Sequence, residues 1–328
     1  MRIVKSRWMC AALGVAFVMG ACGLAVWAQT QPQTGTSAPA AAPVKVDPND
    51  ILKAIPKDAA AFVAVRNLKE LNDDIASLAR TLGFVMGPNG MFPMPLDWLK
   101  EMAMVRGGVN DYGSLAFVVL DSRDVGAMAG ISSRSVLLIS STDGAALIES
   151  LGGQKVEDLF AVTVMGTPMY AAVKGQHVAA AQSAETLKDF LRAKGPGVIE
   201  VMSEDRVQAF ATQDLAGWVN LKGFSDQIRQ ELNDTLAGFM MMMNPAAATE
   251  AEEVGKNLDK FVTETQELAF AVSMDGRGVQ LSGYVSAVPG SEMADQLKAV
   301  LPADGPLLMG LPDEPTIFAM GMTMAGEQ

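Results

Sequence analysis

The sequence predicts an α+β fold in which antiparallel or mixed β-sheets carry helices on one face. Short runs rich in apolar and β-branched residues, such as Leu115 to Leu120 and Ser135 to Ser140, recur along the chain. Tight turns or short amphipathic helices join most of these runs, whereas parallel strands need long crossover connections. An apolar fraction of 49% over 328 residues allows a substantial core, in one large or two ordinary domains.

The first half of the folded part is predicted at residues 48–196. A proline turn at Ile55 to Asp58 leads into a strand at Ala60 to Val65. A helix from Lys69 to Thr81 follows, because its apolar residues recur near every 3.6 positions. The remaining predicted elements are a helix up to Val105 with Asp97 as N-cap, strands at 115–120 and 135–140, a helix capped by Asp143, strands at 159–165, 169–173 and 178–181, and a helix capped by Ser183.

The second half is predicted at residues 197–328, after the break at Gly195-Pro196-Gly197. A proline turn before a strand occurs at Ile55 and again at Leu311, which predicts two related, repeat-like halves. The final strand either closes onto the first half or belongs to a repeat protein truncated at its C-terminus. The predicted elements are a strand at 215–221, helices at 224–242 and 248–265, a hairpin of 268–274 with 279–285, a helix from Ser291 to Val300 and a strand at 316–324.

Residues 1–28 have the pattern of an export signal, which is removed from the mature protein. The basic residues Arg2, Lys5 and Arg7 precede an uncharged stretch from Trp8 to Trp27. Val26 and Ala28 then supply the small residues that a signal peptidase requires. We therefore predict cleavage after Ala28 and export to the periplasm or cell envelope.

Two other interpretations of this N-terminal segment are open. Met19-Gly20-Ala21-Cys22 resembles a lipobox, in which case Cys22 would be lipidated. Alternatively the segment is retained as a membrane anchor, since about 20 apolar residues span a bilayer. Residues 29–47, which are rich in Pro, Ala, Thr and Gln, are predicted to form a disordered tether.

The charge and cysteine content narrow the expected partners and chemistry. The chain has 25 basic and 37 acidic residues, and loss of the leader removes three basic residues and no acidic one. Such an acidic surface disfavours nucleic acid and anionic lipid headgroups, so membrane contact is expected only through an uncleaved or lipidated N-terminus. Both cysteines, Cys10 and Cys22, lie in the leader. No disulfide, thiol nucleophile or cysteine metal site is therefore expected in the mature chain.

No residue pattern predicts catalysis or a cofactor. His177 is the only histidine, and no Gly-x-Ser-x-Gly motif accompanies it, so we expect an exposed or hydrogen-bonded hairpin residue. The stretch before Lys256 lacks the glycine of a phosphate-binding loop, and the glycines at 276 and 278 predict a hairpin turn. The acidic groups are expected on solvated faces and at helix N-termini; they are Asp73-Asp74, Asp121 with Asp124, Glu252-Glu253 and Asp313-Glu314.

Methionine is the unusual component of the sequence, with 22 residues. Met320, Met322 and Met324 alternate and would share one face of a strand. Thioethers suit Cu(I), so these three residues are candidate Cu(I) ligands. Met240 to Met243 would point to all sides of a helix, which is typical of packing. A methionine-lined core or an apolar contact surface is the competing interpretation.

Part of the sequence resembles a known group of proteins. A Leu/Ile-Pro-x-Asp/Glu turn precedes a Phe-containing strand and a leucine-rich helix at Ile55 to Gly83. Looser similarity covers Val136 to Leu191 and Gly310 to Phe318. This pattern resembles uncharacterised exported bacterial proteins with a domain of unknown function built from repeated strand–helix units. The resemblance implies no catalytic residue.

These observations together favour an exported, non-enzymatic binding, scaffold or accessory protein of the cell envelope. Its partner would be an envelope protein or a small ligand, and no cofactor is expected. One alternative is a carboxylate-dependent hydrolase that acts in a groove between the two halves. The other is a methionine-based Cu(I)-binding protein.

Overall fold

A computed structural model of the protein describes residues 47, 49–84, 86–87, 93–121, 134–193, 195, 197–223 and 251–299. Within these residues the chain forms one ten-stranded antiparallel sheet and eight α-helices, which confirms the predicted α+β class. The strands are β1 (Ala61–Val65), β2 (Leu115–Val119), β3 (Ser135–Ser140), β4 (Gln154–Val156), β5 (Leu159–Val164), β6 (Thr167–Lys174), β7 (His177–Ala181), β8 (Leu215–Asn220), β9 (Thr265–Asp275) and β10 (Gly278–Ala287). The helices are α1 (Asp50–Ala54), α2 (Leu68–Thr81), α3 (Pro95–Met102), α4 (Gly144–Ser150), α5 (Ala184–Arg192), α6 (Glu204–Thr212), α7 (Ala251–Glu264) and α8 (Glu292–Ala299).

The sheet is continuous across the predicted boundary near residue 196. Its strand order is β10-β9-β8-β1-β2-β3-β7-β6-β5-β4. The central strand β1 pairs with β2 on one side and with β8 on the other, so that Phe62 lies opposite both Val118 and Trp218. Strands from before and after the boundary are thus neighbours in one sheet. The division into two repeat-like halves stays a prediction.

Helices cover both faces of the sheet, instead of the single face expected from the sequence. On the first face Phe62, Leu138 and Trp218 form a core together with side chains of α1, α5 and α6. On the second face Leu147 and Ile148 of α4 pack against alternate residues of β7. The reason is visible in β7, where all five residues are buried. A strand that is apolar on both sides needs cover on both sides.

Gly197 joins α1 to the segment that follows the predicted boundary. Its φ is +84°, a conformation that favours glycine. A Cβ at this position would lie 2.5 Å from the carbonyl oxygens of Leu52 and Lys53. The next residue, Val198, donates its N–H to the Ile55 carbonyl at 2.8 Å. The glycine therefore allows a close backbone contact with the end of α1.

Several elements differ from the sequence prediction. Helix α3 begins at Pro95, and Asp97 lies in its first turn instead of capping it. Proline at the first helical position is favoured because its missing N–H has no partner there in any case. The short elements α1, β4 and α6 were not predicted, since five, three and nine residues carry little periodic signal.

Other predicted elements lie outside the described residues. They are the leader, the tether at 29–46, the predicted helix at 224–242 with Met240 to Met243, and the final strand at 316–324. The predicted helix at 248–265 is described over 251–264, as α7. Over the part of the chain that the structure describes, no helix has both the length and the apolarity needed to cross a bilayer.

We expect Phe62→Ala to lower the free energy of unfolding by about 3–5 kcal/mol, because it opens a cavity in the core on the first face. The matched control is Phe117→Ala on the neighbouring strand. Phe117 is 44% exposed and Phe62 only 1%, so the control should cost about 1 kcal/mol or less. Urea unfolding of both variants measures the difference, and equal losses would contradict this assignment of the core.

Candidate functional site

His177 begins β7 and points into the core side of the sheet. It lies opposite Lys174 on β6 and Ser140 on β3. The side chain is 3% exposed, and its Nε2 has no hydrogen-bond partner. A charged group close to the ring is Asp50 of α1, with Oδ2 3.6 Å from Nε2. Of the two expectations for this hairpin residue, exposed or hydrogen-bonded, the first was wrong, because α1 covers this end of the hairpin.

The surroundings of His177 keep its imidazole neutral at neutral pH. Burial lowers the pKa of His177, the Asp50 carboxylate partly opposes this, and the Lys174 ammonium lowers the pKa further. Burial also lowers the pKa of Lys174. The Lys174 ammonium donates to the Phe190 carbonyl at 3.0 Å and lies 4.0 Å from the centre of the Phe190 ring. These contacts attach α1 and α5 to the sheet.

Ser140, which lies opposite His177 on β3, already forms hydrogen bonds with Ser114. Ser140 Oγ accepts the backbone N–H of Ser114 at 3.0 Å and lies 3.0 Å from the Ser114 hydroxyl. A nucleophile needs a free lone pair that faces both its base and the substrate. We therefore interpret this polar row as a buried structural contact.

The acidic residues of α2 lie near Asp214, which directly precedes β8, and near Asp275 at the end of β9. Burial raises the pKa of Asp74, and the carboxylates of Asp214, Glu70, Asp73 and Asp275 raise it further. Of these neighbours, Asp214 is buried and accepts the Met274 N–H at 2.6 Å. Of the predicted acidic pairs, Asp73-Asp74 is the one in which both side chains belong to the described part of the chain.

Asp275 and Asp121 have structural roles. Asp275 accepts the N–H of Arg277 at 2.7 Å and so closes the β9–β10 turn. The backbone carbonyl of Asp121 accepts from the Arg134 guanidinium. Among the described residues, no three His, Cys, Asp or Glu side chains are grouped so as to hold a metal ion.

The remaining predicted site residues lie outside the described part of the chain or have side chains that are not described. They are Cys22, Ala28, Asp124, Glu252, Glu253, Asp313, Glu314, Met320, Met322 and Met324. Cleavage after Ala28, lipidation of Cys22 and Cu(I) binding by the three methionines stay predictions.

A cleft of about 540 Å³ lies between α2 and the segment that precedes α3. This volume falls in the range of about 300–1,000 Å³ that is typical of small-molecule sites. Its walls are formed by Asp73, Ala76, Arg80, Phe84, Met86 and Met94. We refer to it as the α2 cleft.

Two asparagines position the walls of the α2 cleft. Asn67 caps α2, because its side chain accepts the N–H groups of Lys69 and Glu70 at 3.1 Å each. Asn72 is buried in the same helix and accepts the N–H of Leu96 at 3.0 Å. This bond connects the first turn of α3 to α2. The spacing between the two walls is therefore fixed by a hydrogen bond that water cannot easily replace.

The α2 cleft combines an apolar wall with the positive charge of Arg80. Phe84 is 49% exposed, and Met86 and Met94 line the same opening. Asp73 is paired with Lys69 in the preceding turn. Arg80 is exposed in the last turn of α2, and no acidic side chain of the described residues lies within ion-pair distance of it.

The sequence prediction missed the α2 cleft. Residues 83–95 are rich in Gly, Pro and Met, a composition that predicts only a loop. The one feature of the sequence that points to the cleft is a methionine-rich segment directly after an amphipathic helix with Arg80 in its last turn. That signal alone does not show whether a loop folds back onto the helix.

No family model and no curated protein matches the sequence. Among solved structures, crystal forms I and III of TP0453 are similar over 77% and 78% of this chain, and over 84% and 86% of their own chains. The sequence identities are 8% and 9%, and the TM-scores are 0.36 and 0.37. Values this low do not bear on the function of this chain.

We expect the free energy of unfolding to decrease as the pH falls through about 6.5, the pKa of histidine in the unfolded chain, because His177 is buried. Because burial lowers the folded-state pKa, the unfolded chain takes up the proton first as the pH falls. The stabilising contribution of neutral His177 is complete above the unfolded pKa of about 6.5 and is lost as the pH falls towards the folded pKa. Urea unfolding across this range should show a smaller decrease for His177→Gln. The exposed control Arg192→Gln should keep the decrease of the native sequence, and parallel curves for all three proteins would refute the assignment.

Proposed function

We propose that this chain is an exported, non-enzymatic binding protein of the cell envelope and that the α2 cleft is its ligand site. The α2 cleft itself is the observation that carries the proposal. Its size suits a small molecule, and its lining joins apolar side chains to the guanidinium of Arg80, which has no acidic partner among the described residues. The composition of residues 1–28 supports export.

The lining of the cleft favours a small amphipathic ligand with one acidic group. Phe84, Met86 and Met94 offer an apolar surface, and thioethers adapt to ligands of varied shape. A carboxylate, sulfonate or phosphate can form a bidentate pair with a guanidinium such as that of Arg80. Asp73 on the same wall is neutralised by Lys69, so it repels such a group less.

The polar clusters of the described chain support a binding role over catalysis. His177 is buried below α1, and the nearest hydroxyl in register is bonded to Ser114. Asp214 and Asp275 are engaged with backbone N–H groups. Each of these groups therefore has a role in the fold that explains its position.

One observation favours the hydrolase alternative. The pKa of Asp74 is raised by burial and by neighbouring carboxylates, as is usual for a catalytic acid. Asp73 beside it lines the α2 cleft. A hydrolase of this kind would lose its activity in Asp74→Asn and keep it in Asp259→Asn, an exposed acid on α7. Loss of turnover in the first variant alone would replace the binding proposal with the hydrolase.

The binding proposal is tested with 8-anilinonaphthalene-1-sulfonate, a fluorescent amphipathic anion, as the probe. We expect Arg80→Gln to raise its dissociation constant about fivefold, since an exposed charge-assisted contact contributes about 1 kcal/mol. Arg192→Gln removes another exposed positive charge, from α5, and should leave the affinity unchanged. Dodecanoate should displace the probe, whereas dodecylammonium should not.

Equal affinities in the two arginine variants would contradict the proposal. A second variant, Ala76→Trp, fills the α2 cleft and should remove probe binding while the unfolding transition persists. The Cu(I) alternative is tested on the same protein. Stoichiometric Cu(I) uptake that is lost in Met322→Leu, at one of the three predicted methionine ligands, without any effect of Arg80→Gln, would favour that alternative.

A further inference from the structure

Two methionines lie in the lining of the α2 cleft. Met86 follows the end of α2, and Met94 directly precedes Pro95, the first residue of α3. Together with Phe84 they supply much of the apolar wall. Both methionine side chains are partly exposed. The cleft therefore gives small solutes access to two thioethers, and we refer to Met86 and Met94 as the cleft methionines.

Other methionines of the described chain differ in their surroundings. Met202 packs against the core on the first face of the sheet, and Met169 packs against the core on the second face. Met293 accepts the hydroxyl of Thr265 at 3.4 Å. Met104 is 77% exposed but does not line the cleft. A chemical change at the cleft methionines, unlike one at Met104, would alter a candidate ligand site.

The thioethers are the only sulfur groups left in the processed chain. Cys10 and Cys22 both lie in residues 1–28, so cleavage after Ala28 leaves no thiol to react in their place. Oxidation converts a thioether into a sulfoxide, which is polar and chiral and no longer packs as an apolar group. Since the cleft methionines are two of the six lining residues, their oxidation would change a large part of the apolar wall.

We propose that peroxide oxidises the cleft methionines and thereby lowers the affinity of the α2 cleft for its acidic amphipathic ligand. This inference rests on the proposed function of the cleft. In the reaction a sulfur lone pair attacks one oxygen of hydrogen peroxide, so that an S–O bond forms and the O–O bond breaks. The proton of the attacked OH group passes to the leaving hydroxide, which departs as water. The sulfur loses two electrons and the peroxide gains them.

Two physical effects lower the affinity. A polar sulfoxide removes the apolar contact that the hydrocarbon part of the ligand would use. Its oxygen also accepts hydrogen bonds, and the guanidinium of Arg80 in the same lining is a donor. The sulfoxide therefore competes with the acidic group of the ligand for Arg80. A bound ligand, in turn, covers the cleft methionines and should slow their oxidation.

The protection by ligand is tested with hydrogen peroxide in the absence and presence of saturating dodecanoate. Peptide mass spectrometry measures the sulfoxide at Met86, Met94 and Met104 in the same sample. Dodecanoate should slow oxidation of the cleft methionines by about fivefold or more, because a pocket covers most of the surface of its ligand. The rate at Met104 should not change, since this residue lies outside the cleft lining. Rates that are the same with and without dodecanoate at all three positions would overturn the proposal.

The effect on binding is measured with 8-anilinonaphthalene-1-sulfonate before and after peroxide treatment of the purified protein. We expect the dissociation constant to rise about tenfold, because polar groups replace apolar ones in the wall. Two methionine sulfoxide reductases, one for each sulfoxide epimer, with dithiothreitol as reductant should restore the original affinity. The urea unfolding transition should persist after oxidation. Loss of that transition together with the affinity would assign the effect to unfolding and refute the proposal.

Two variants separate the cleft methionines from the other methionines. The double variant Met86→Leu with Met94→Leu replaces both thioethers by side chains of similar volume. Whatever the affinity of this variant, peroxide should change it by no more than about twofold, because leucine is not oxidised in this way. Met104→Leu is the matched control and should keep the roughly tenfold change of the native sequence. A double variant as sensitive to peroxide as the native sequence would show that other residues cause the loss.

The results distinguish this inference from the proposed function. If Arg80→Gln weakens probe binding and peroxide does not, the cleft is a ligand site without oxidative control, and this inference alone fails. If neither Arg80→Gln nor peroxide changes the affinity, both fail. Sensitivity to peroxide without any effect of Arg80→Gln would contradict the acidic ligand, and this inference with it.

Discussion

The pairing of β1 with both β2 and β8 is the constraint on which the rest of the structure depends. Five residues, Ala61 to Val65, connect strands that come from distant parts of the sequence. Phe62 lies in register with Trp218, and their ring centres are 6.0 Å apart. Aromatic pairs at this distance add stabilisation beyond the area that they bury. Without β1 the strands β8 to β10 would have no contact with the remainder of the sheet.

The continuous sheet determines where helices can pack. Its central strands are apolar on both sides, so α1, α5 and α6 cover the first face and α4 covers part of the second. This cover buries polar groups as well, including His177 and the indole nitrogen of Trp218, neither of which has a hydrogen-bond partner for its buried nitrogen. Such groups lower the net stability, and a large apolar core offsets their cost.

The candidate ligand site lies where this packing ends. The α2 cleft forms beside a helix whose connection to α3 depends on the buried Asn72 side chain. The cleft combines apolar surface with the guanidinium of Arg80, and that combination distinguishes an interaction surface from ordinary exposed residues. Met86 and Met94 belong to the same lining, so the surface that would hold a ligand is also one that an oxidant would change.

The sequence by itself determined the class of fold and most of the long elements. Alternation and turn residues placed β2, β3 and the β9–β10 hairpin, and capping residues placed the starts of α4 and α5 at Asp143 and Ser183. These features depend on neighbouring residues, so they are visible in a local pattern. The charge and the cysteine positions were likewise readable without a structure.

Only the tertiary structure decided the strand order, the burial of His177 and the walls of the α2 cleft. Each depends on contacts between residues far apart in the chain: β1 meets β8, α1 covers His177, and Asn72 holds Leu96. A local pattern shows that a strand is apolar on both sides, but it does not show which elements cover it. The same limit applies to β10, since the sequence of Gly278 to Ala287 does not show that, within the described part of the chain, only β9 pairs with it.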